Sequence, residues 1–170
     1  VCGSIPCTIP DGGLDITCSD GVWISVRDLT CLLVCASPDT PIATPEGERP
    51  IADIRVGDLV YSADDNAIRP VPVASVHRQR AEHHHVVRVT LASGRVLEIS
   101  APHPTTDGRL FGDLRAGDLL DGQPILTVEV ILYGHEYTYD ILPASSTHSY
   151  FAAGARIGST LRDRQLGADE

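Results

Sequence analysis

From residue 35 onward, apolar and polar positions alternate over short stretches separated by turns rich in Gly, Pro, Asp and Ser. No stretch of helix length carries apolar residues at a 3.6-residue period. Val71, Val73 and Val76 form one strand-like stretch. Val86 to Leu91 reads as a strand, Ala92-Ser93-Gly94 as a turn, and Val96 to Ile99 as the returning strand. Leu126 to Leu132 reads as a further, buried strand. Many short strands with frequent turns predict an all-β sandwich or barrel-like fold.

An internal repeat sharpens that expectation. Asp53-Ile54-Arg55-Val56-Gly57-Asp58-Leu59-Val60 recurs as Asp113-Leu114-Arg115-Ala116-Gly117-Asp118-Leu119-Leu120, with Thr44-Pro45-Glu46-Gly47 before the first copy and Thr106-Asp107-Gly108 before the second. Two copies are too few for a solenoid. They predict two related halves that share one core about a pseudo-two-fold axis, with Gly-Asp making the turn into the next strand of each.

Composition limits what such a fold can do. The 170 residues are 42% apolar and 21% charged, which suits one domain with an appendage. A formal net charge of −10 argues against a partner that is nucleic acid or an anionic membrane, because nothing would neutralise the phosphates. All 13 basic residues are arginine, so Schiff-base chemistry, P-loop lysine chemistry and ligation to a lysine side chain are excluded. The longest apolar run, Leu29 to Ala36 with Thr30 inside it, falls far short of the roughly 18 residues of a membrane span. The chain opens on Val1 and reads as a piece of something longer.

The cysteines divide the chain. Cys2, Cys7, Cys18, Cys31 and Cys35 are the whole set. The first four, amid Gly, Pro, Asp and Ser, read as a small loop-rich disulfide module with Trp23 at its hydrophobic centre. That predicts an exported protein, in a periplasm, at a cell surface or secreted. A four-thiolate zinc site is the rival, and the lack of a Cys-x-x-Cys pair disfavours it. The expected organisation is a cysteine-rich flank over 1–34, a β domain over 35–160 and a polar tail over 161–170. Cys35 is the odd cysteine at the composition boundary and so a candidate reactive thiol, with a disulfide to Cys31 as the alternative.

Histidines and carboxylates supply the rest of the chemistry. His103 lies in Ser100-Ala101-Pro102-His103, after the strand ending at Ile99. His148 lies in Thr147-His148-Ser149-Tyr150-Phe151, shortly after Tyr139-Asp140-Ile141. Cysteine, histidine and aspartate are the parts of a thiol nucleophile and its proton relay. Composition leaves a thiol protease, a redox sensor and a structural site open. His83-His84-His85 reads as a solvated strand start rather than a metal site, because neighbours on a strand face opposite ways. His77 and His135 carry no motif, and neither a metal nor a cofactor is expected.

Three segments in order resemble the motifs of the Hint superfamily, the autoprocessing domains of inteins, hedgehog proteins and bacterial intein-like proteins. Cys35-Ala36-Ser37-Pro38-Asp39-Thr40-Pro41-Ile42-Ala43-Thr44, continued by Glu46-Gly47 and Ile51 to Asp58, is similar to the opening motif. Gly94 to His103 resembles the second, a Thr-x-x-His in which Ser100 replaces threonine. Tyr139 to Gly154 resembles the third. The resemblance implies a horseshoe-shaped all-β fold of two pseudo-symmetric halves, matching the repeat. It also implies that Cys35 attacks the carbonyl of Val34 and converts the scissile Val34–Cys35 peptide bond to a thioester by an N-to-S acyl shift. His103 would protonate the leaving nitrogen and Ser100 would hydrogen-bond the same peptide as an oxyanion donor. Asp140 would take the thiol proton or tune His103, with His148 as a secondary relay.

The departures from the family pattern narrow the outcome. Splicing inteins end in His-Asn, and the single asparagine here, Asn66, lies far upstream; Ile157-Gly158-Ser159-Thr160 stands where that end would be. The resemblance therefore implies one-ended processing without splicing, in which a small nucleophile (water, a thiol or an amine) takes the N-terminal flank. The polar end of the sequence gives no support for a sterol acceptor. A monomer is expected. The alternative is a catalytically silent or very slow Hint-like scaffold that presents the disulfide module.

Overall fold

Residues 16–19, 22–25, 35–81 and 83–161 are described by the structure, a computed structural model. The chain divides into two units, Val1–Leu33 and Val34–Glu170. In the first, β1 (Ile16–Ser19) and β2 (Val22–Ser25) pair as an antiparallel hairpin. Cys2, Cys7, Cys31 and the side chains of Cys18 and Trp23 lie outside the described residues, so the disulfide module does as well. Val34 and the tail from Arg162 onward also lie outside them.

The second unit is all-β: eleven of its segments are strands, every pairing is antiparallel, and no α-helix occurs among the described residues. β3 (Pro41–Thr44), β4 (Gly47–Pro50), β12 (Ser149–Ala152) and β13 (Ala155–Gly158) form one sheet in the order β13-β12-β3-β4. β5 (Leu59–Asp64), β6 (Ala67–Arg80) and β11 (Tyr137–Pro143) form a second, β11-β6-β5. β7 (His85–Leu91), β8 (Val96–Ile99), β9 (Leu119–Leu120) and β10 (Gln123–Leu132) form a third, β8-β7-β10-β9. Among the described residues no helix is long and apolar enough to cross a membrane.

The repeat emerges as two superimposable turns. Three-residue 3-10 turns at Ile51–Asp53 and Phe111–Asp113 open them. Gly57 and Gly117 then take φ of +89° and +91°, values a side chain rarely tolerates. The carboxylates of Asp58 and Asp118 accept from the backbone N–H of Arg55 and Arg115, both at 2.8 Å. The backbone then bonds onward identically, Gly57 N–H to Val73 O and Gly117 N–H to Ile125 O, both at 2.9 Å. Each copy feeds a hairpin, β5–β6 or β9–β10, and the long strands exchange partners: β6 pairs with β11 and β10 with β7. The halves are thus interlocked around one core containing Ile42, Val60, Val89, Leu97, Phe111 and Leu114.

One expectation fails in detail. The strand over Leu126 to Leu132 exists, but Leu126, Val130 and Leu132 are 55%, 73% and 65% exposed. The pairing of β10 with β7 shifts register between Ile125 and Thr127, and beyond that shift only Val128 packs on the core. The apolar content of this strand reflects how well β-branched side chains suit a pleated surface, not burial.

Candidate active site

Residue 36 is where the second and third sheets meet. Ala36 bridges Ile99 on one side and Tyr139 on the other, both antiparallel. Continuing that register sets Cys35 opposite both Ser100 and Asp140, and directly opposed residues in antiparallel pairs carry their side chains on one face. Cys35, Ser100 and Asp140 are all buried, the last two completely. A thiol, a hydroxyl and a carboxylate that are remote in sequence are therefore brought together by strand register alone.

Ser100 clamps the backbone of Cys35. Its N–H donates to Cys35 O at 3.1 Å and its hydroxyl to the same oxygen at 3.0 Å. The Cys35 N–H donates back to Ser100 Oγ at 3.2 Å. Ser100 thus touches the Val34–Cys35 peptide on its nitrogen. The carbonyl side of that peptide belongs to Val34 and lies outside the described residues.

His103 closes the turn that begins at Ser100, its N–H donating to Ser100 O at 3.0 Å. Phe111 N–H donates to His103 O at 2.9 Å, and the Phe111 ring meets the imidazole edge to face at 5.9 Å. The imidazole is fully buried. The 3-10 turn of the second repeat therefore has a second task, since its first residue fixes this histidine.

Asp140 sits on the inward-facing row of β11. Its Oδ1 accepts from Ile141 N–H and from the Tyr150 hydroxyl, each at 2.8 Å. Its Oδ2 accepts from Thr160 N–H at 2.8 Å, from the Thr160 hydroxyl, and from Ser159 Oγ at 3.4 Å. A buried carboxylate survives only with such a set of donors. To take a proton from the thiol, one of those donors would have to give way. The Tyr150 phenol has its pKa raised well above the ordinary value, first by burial and then by the charge of Asp140 and the bond to it, with Cys35 adding to the same effect. It therefore remains a donor.

His148 stands apart from this cluster in the bonding. It has a left-handed φ of +52° and is half-buried, its N–H donating to Ser145 Oγ at 3.1 Å and its carbonyl accepting from Ser159 N–H at 3.0 Å. The link from His148 to Asp140 runs through Ser159 rather than through its own ring.

His84 is the residue that sequence patterning missed. Its Nε2 lies 2.8 Å from Ser100 Oγ, its carbonyl accepts from Tyr133 N–H at 2.8 Å, and its ring meets that of Tyr133 edge to face at 5.9 Å. Burial lowers its pKa below the ordinary 6.5, and the charge of neighbouring His85 lowers it further. The Tyr133 pKa is raised by burial and then by the charges of Asp39, Glu98 and Cys35. His84 precedes β7 and His83 has φ of +51°, so strand alternation does not govern where its side chain goes. Among the described residues no three His, Cys, Asp or Glu side chains are grouped to hold a metal ion.

Residues 34–103 match the family model of the Hint domain. No curated protein matches the chain in sequence. Among solved structures, the gp41-1 intein is 22% identical with a TM-score of 0.57, over 74% of this chain and 98% of that one. The bacterial intein-like domain from Clostridium thermocellum is 19% identical with a TM-score of 0.62, over 74% and 96%. The Msm DnaB1 intein splicing domain, solved bound with zinc, is 22% identical with a TM-score of 0.61, over 72% and 98%. These structures share the interlocked all-β architecture, and the family model covers the segment that carries Cys35, Ser100 and His103. The second unit thus has the fold of the solved inteins and the intein-like domain, and residues 34–103 of it match the Hint domain model.

Proposed function

We propose that this Hint domain is an autoprocessing element that cuts the Val34–Cys35 peptide bond and releases or transfers residues 1–34. The Cys35 sulfur attacks the Val34 carbonyl carbon as the thiol proton departs. The carbon–nitrogen bond breaks, the Cys35 nitrogen takes up a proton, and residues 1–34 are left on the sulfur as a thioester. This step is an isomerisation and needs no co-reactant. Water, a thiol or an amine then attacks the thioester. Because the nucleophile is covalently adjacent to its target, proximity supplies on the order of 7–11 kcal/mol that a bimolecular attack would lack. Export to an oxidising compartment belongs to the same reading and rests on the cysteine-rich flank.

The observation that carries the proposal is the bond from the Cys35 amide nitrogen to Ser100 Oγ. That nitrogen is the leaving group. As it gains a proton and positive charge, a hydrogen bond donated from it strengthens, so the contact stabilises the transition state more than the resting amide. His103, buried on the turn that Ser100 begins, is the acid of this scheme. Asp140 faces Cys35 in the strand register and is the proton relay of this scheme.

Incubation with dithiothreitol or hydroxylamine followed by mass spectrometry tests the reading. Fragments 1–34 and 35–170 are expected, with the first carrying the added nucleophile or hydrolysed. Cys35→Ala abolishes them. An intact mass throughout establishes the silent scaffold instead.

A further inference from the structure

The Ser100 hydroxyl has one proton and two lone pairs, and three neighbours claim them. Cys35 O lies at 3.0 Å, Cys35 N–H at 3.2 Å and His84 Nε2 at 2.8 Å. All three bonds coexist in one arrangement only. The hydroxyl proton goes to Cys35 O, and the two lone pairs accept from Cys35 N–H and from a protonated Nε2 of His84. Were the His84 proton on Nδ1 alone, the hydroxyl proton would turn to Nε2 and leave Cys35 O to the Ser100 backbone. The tautomer of His84 thus decides which way the hydroxyl points at the peptide.

We propose that His84 is a positioning residue for peptide-bond activation, locking the rotor of the Ser100 hydroxyl so that a lone pair faces the Cys35 amide nitrogen. The role rests on the cleavage proposed above, because it matters only where that nitrogen leaves. The imidazole is well placed for it. The His84 backbone carbonyl is tied to Tyr133 N–H, and the His84 ring meets the Tyr133 ring edge to face, with the His135 ring tilted against Tyr133 at 5.3 Å. The charged and titratable groups around it are His85 beside it, Tyr133 and His135 on the facing loop, and Asp39, Glu98 and Cys35, whose charges reach Tyr133. No group other than His84 contacts Ser100 Oγ besides the Cys35 backbone, among the bonds of the described residues.

Two substitutions test the assignment. Gln at position 84 retains a terminal N–H donor, whereas Leu retains only bulk. His84→Leu is expected to slow hydroxylamine-induced cleavage by about tenfold, the worth of one hydrogen bond. His84→Gln is expected to stay within about threefold of the parent. In a Ser100→Ala background, His84→Leu should add nothing, because the rotor it locks is gone. An effect of full size in that background overturns the role, as does parental cleavage by His84→Leu. A second measurement does not depend on cleavage: the Cys35 amide signal in nitrogen-15 NMR should move in His84→Leu and hold in His84→Gln. If the parent never cleaves, the proposed function falls, while the Cys35 amide signal still decides whether His84 sets the hydroxyl; an unmoved signal in His84→Leu sinks it.

Discussion

The loops that leave the two long strands are built alike and used differently. β6 passes to β7 through residues 81–84, and β10 passes to β11 through residues 133–136. They bond to each other reciprocally: Ala81 N–H donates to Glu136 O, and Tyr133 N–H to His84 O, both at 2.8 Å. The last residue of each loop therefore occupies the equivalent place. In the first half that residue is His84, turned inward onto Ser100. In the second it is Glu136, 63% exposed and paired only loosely with Arg80 at 3.8 Å. The frame is symmetric, and at this pair of positions only the first half carries a side chain bonded to Ser100. At Ala36 the two flanking strands likewise differ, Ile99 leading to a serine and Tyr139 to an aspartate. The frame sets where the groups go, and the difference between halves sets what they do.

The largest expected effect comes from removing the two motif histidines in turn. His103 closes a turn begun by Ser100 and is fully buried, whereas His148 closes one begun by Ser145 and is only half-buried. His103→Ala is expected to slow cleavage by about 100-fold or more, the usual cost of losing a general acid. His148→Ala is expected to stay within about threefold, since its contact with the Asp140 network runs through backbone and Ser159. Equal losses would show that both histidines carry the proton transfer. Mass-spectrometric time courses on the two variants decide it.

Stability separates the two flanks of Cys35 next. Asp140→Asn places an amide N–H₂ among the donors Tyr150, Ser159 and Thr160, so donors oppose donors in a site without water access. The expected loss is about 3 kcal/mol in urea unfolding. Ser100→Ala removes a hydroxyl but leaves the Cys35 carbonyl bonded to the Ser100 backbone N–H, and should cost about 1 to 2 kcal/mol. A reversed order would mean that the Asp140 network is not the structural anchor of the second half.

What the residues disclosed in advance follows from the range of the interactions. The Gly-Asp turns are local: Asp58 and Asp118 bond three residues back, so both copies can be read from eight residues of sequence. β7, the turn after it and β8 are likewise written in alternation and glycine. Ser100, His103 and Asp140 stood out because they fall in ordered motifs, but nothing local says that Ala36 bridges both Ile99 and Tyr139. His84 was invisible for a different reason. The left-handed His83 takes the chain out of strand phase just before it, so the rule that neighbours point oppositely has no purchase there. Leu126, Val130 and Leu132 misled because apolar strand residues satisfy the sheet as well as a core does.

A pH titration sharpens the contrast between His84 and Glu136. Burial lowers the folded pKa of His84 below the 6.5 of an unfolded histidine. As pH falls through 6.5, the unfolded chain takes up that proton first, so folding stability declines over the window down to the folded pKa and is unaffected above it. His84→Gln should flatten this part of the stability profile, whereas Glu136→Gln, at an exposed position, should leave it as it is. Urea midpoints measured between pH 7 and about pH 5 read the difference. A parental slope retained in His84→Gln would assign it to another group.

The smallest expected effect tests the symmetry itself. Gly57 and Gly117 have φ of +89° and +91°, and a Cβ at either would meet nothing within 4 Å. Replacing either by alanine therefore adds no clash and leaves only backbone strain, about 1 to 2 kcal/mol for an L-residue held at positive φ. The two losses should agree to within about 0.5 kcal/mol and add in the double variant, because distant independent sites are additive. Cleavage should change little in either, since neither glycine contacts Cys35, Ser100 or His103 among the bonds described. If Gly117→Ala slowed cleavage and Gly57→Ala did not, the second turn would have a role the first lacks. The route is short: the 3-10 turn before Gly117 begins at Phe111, whose N–H and ring hold His103. Its counterpart before Gly57 begins at Ile51, whose N–H is spent on Thr40 O. Identical stability losses with unequal rates would thus place the functional divergence of the halves in what their matching turns hold, with the turns themselves unchanged.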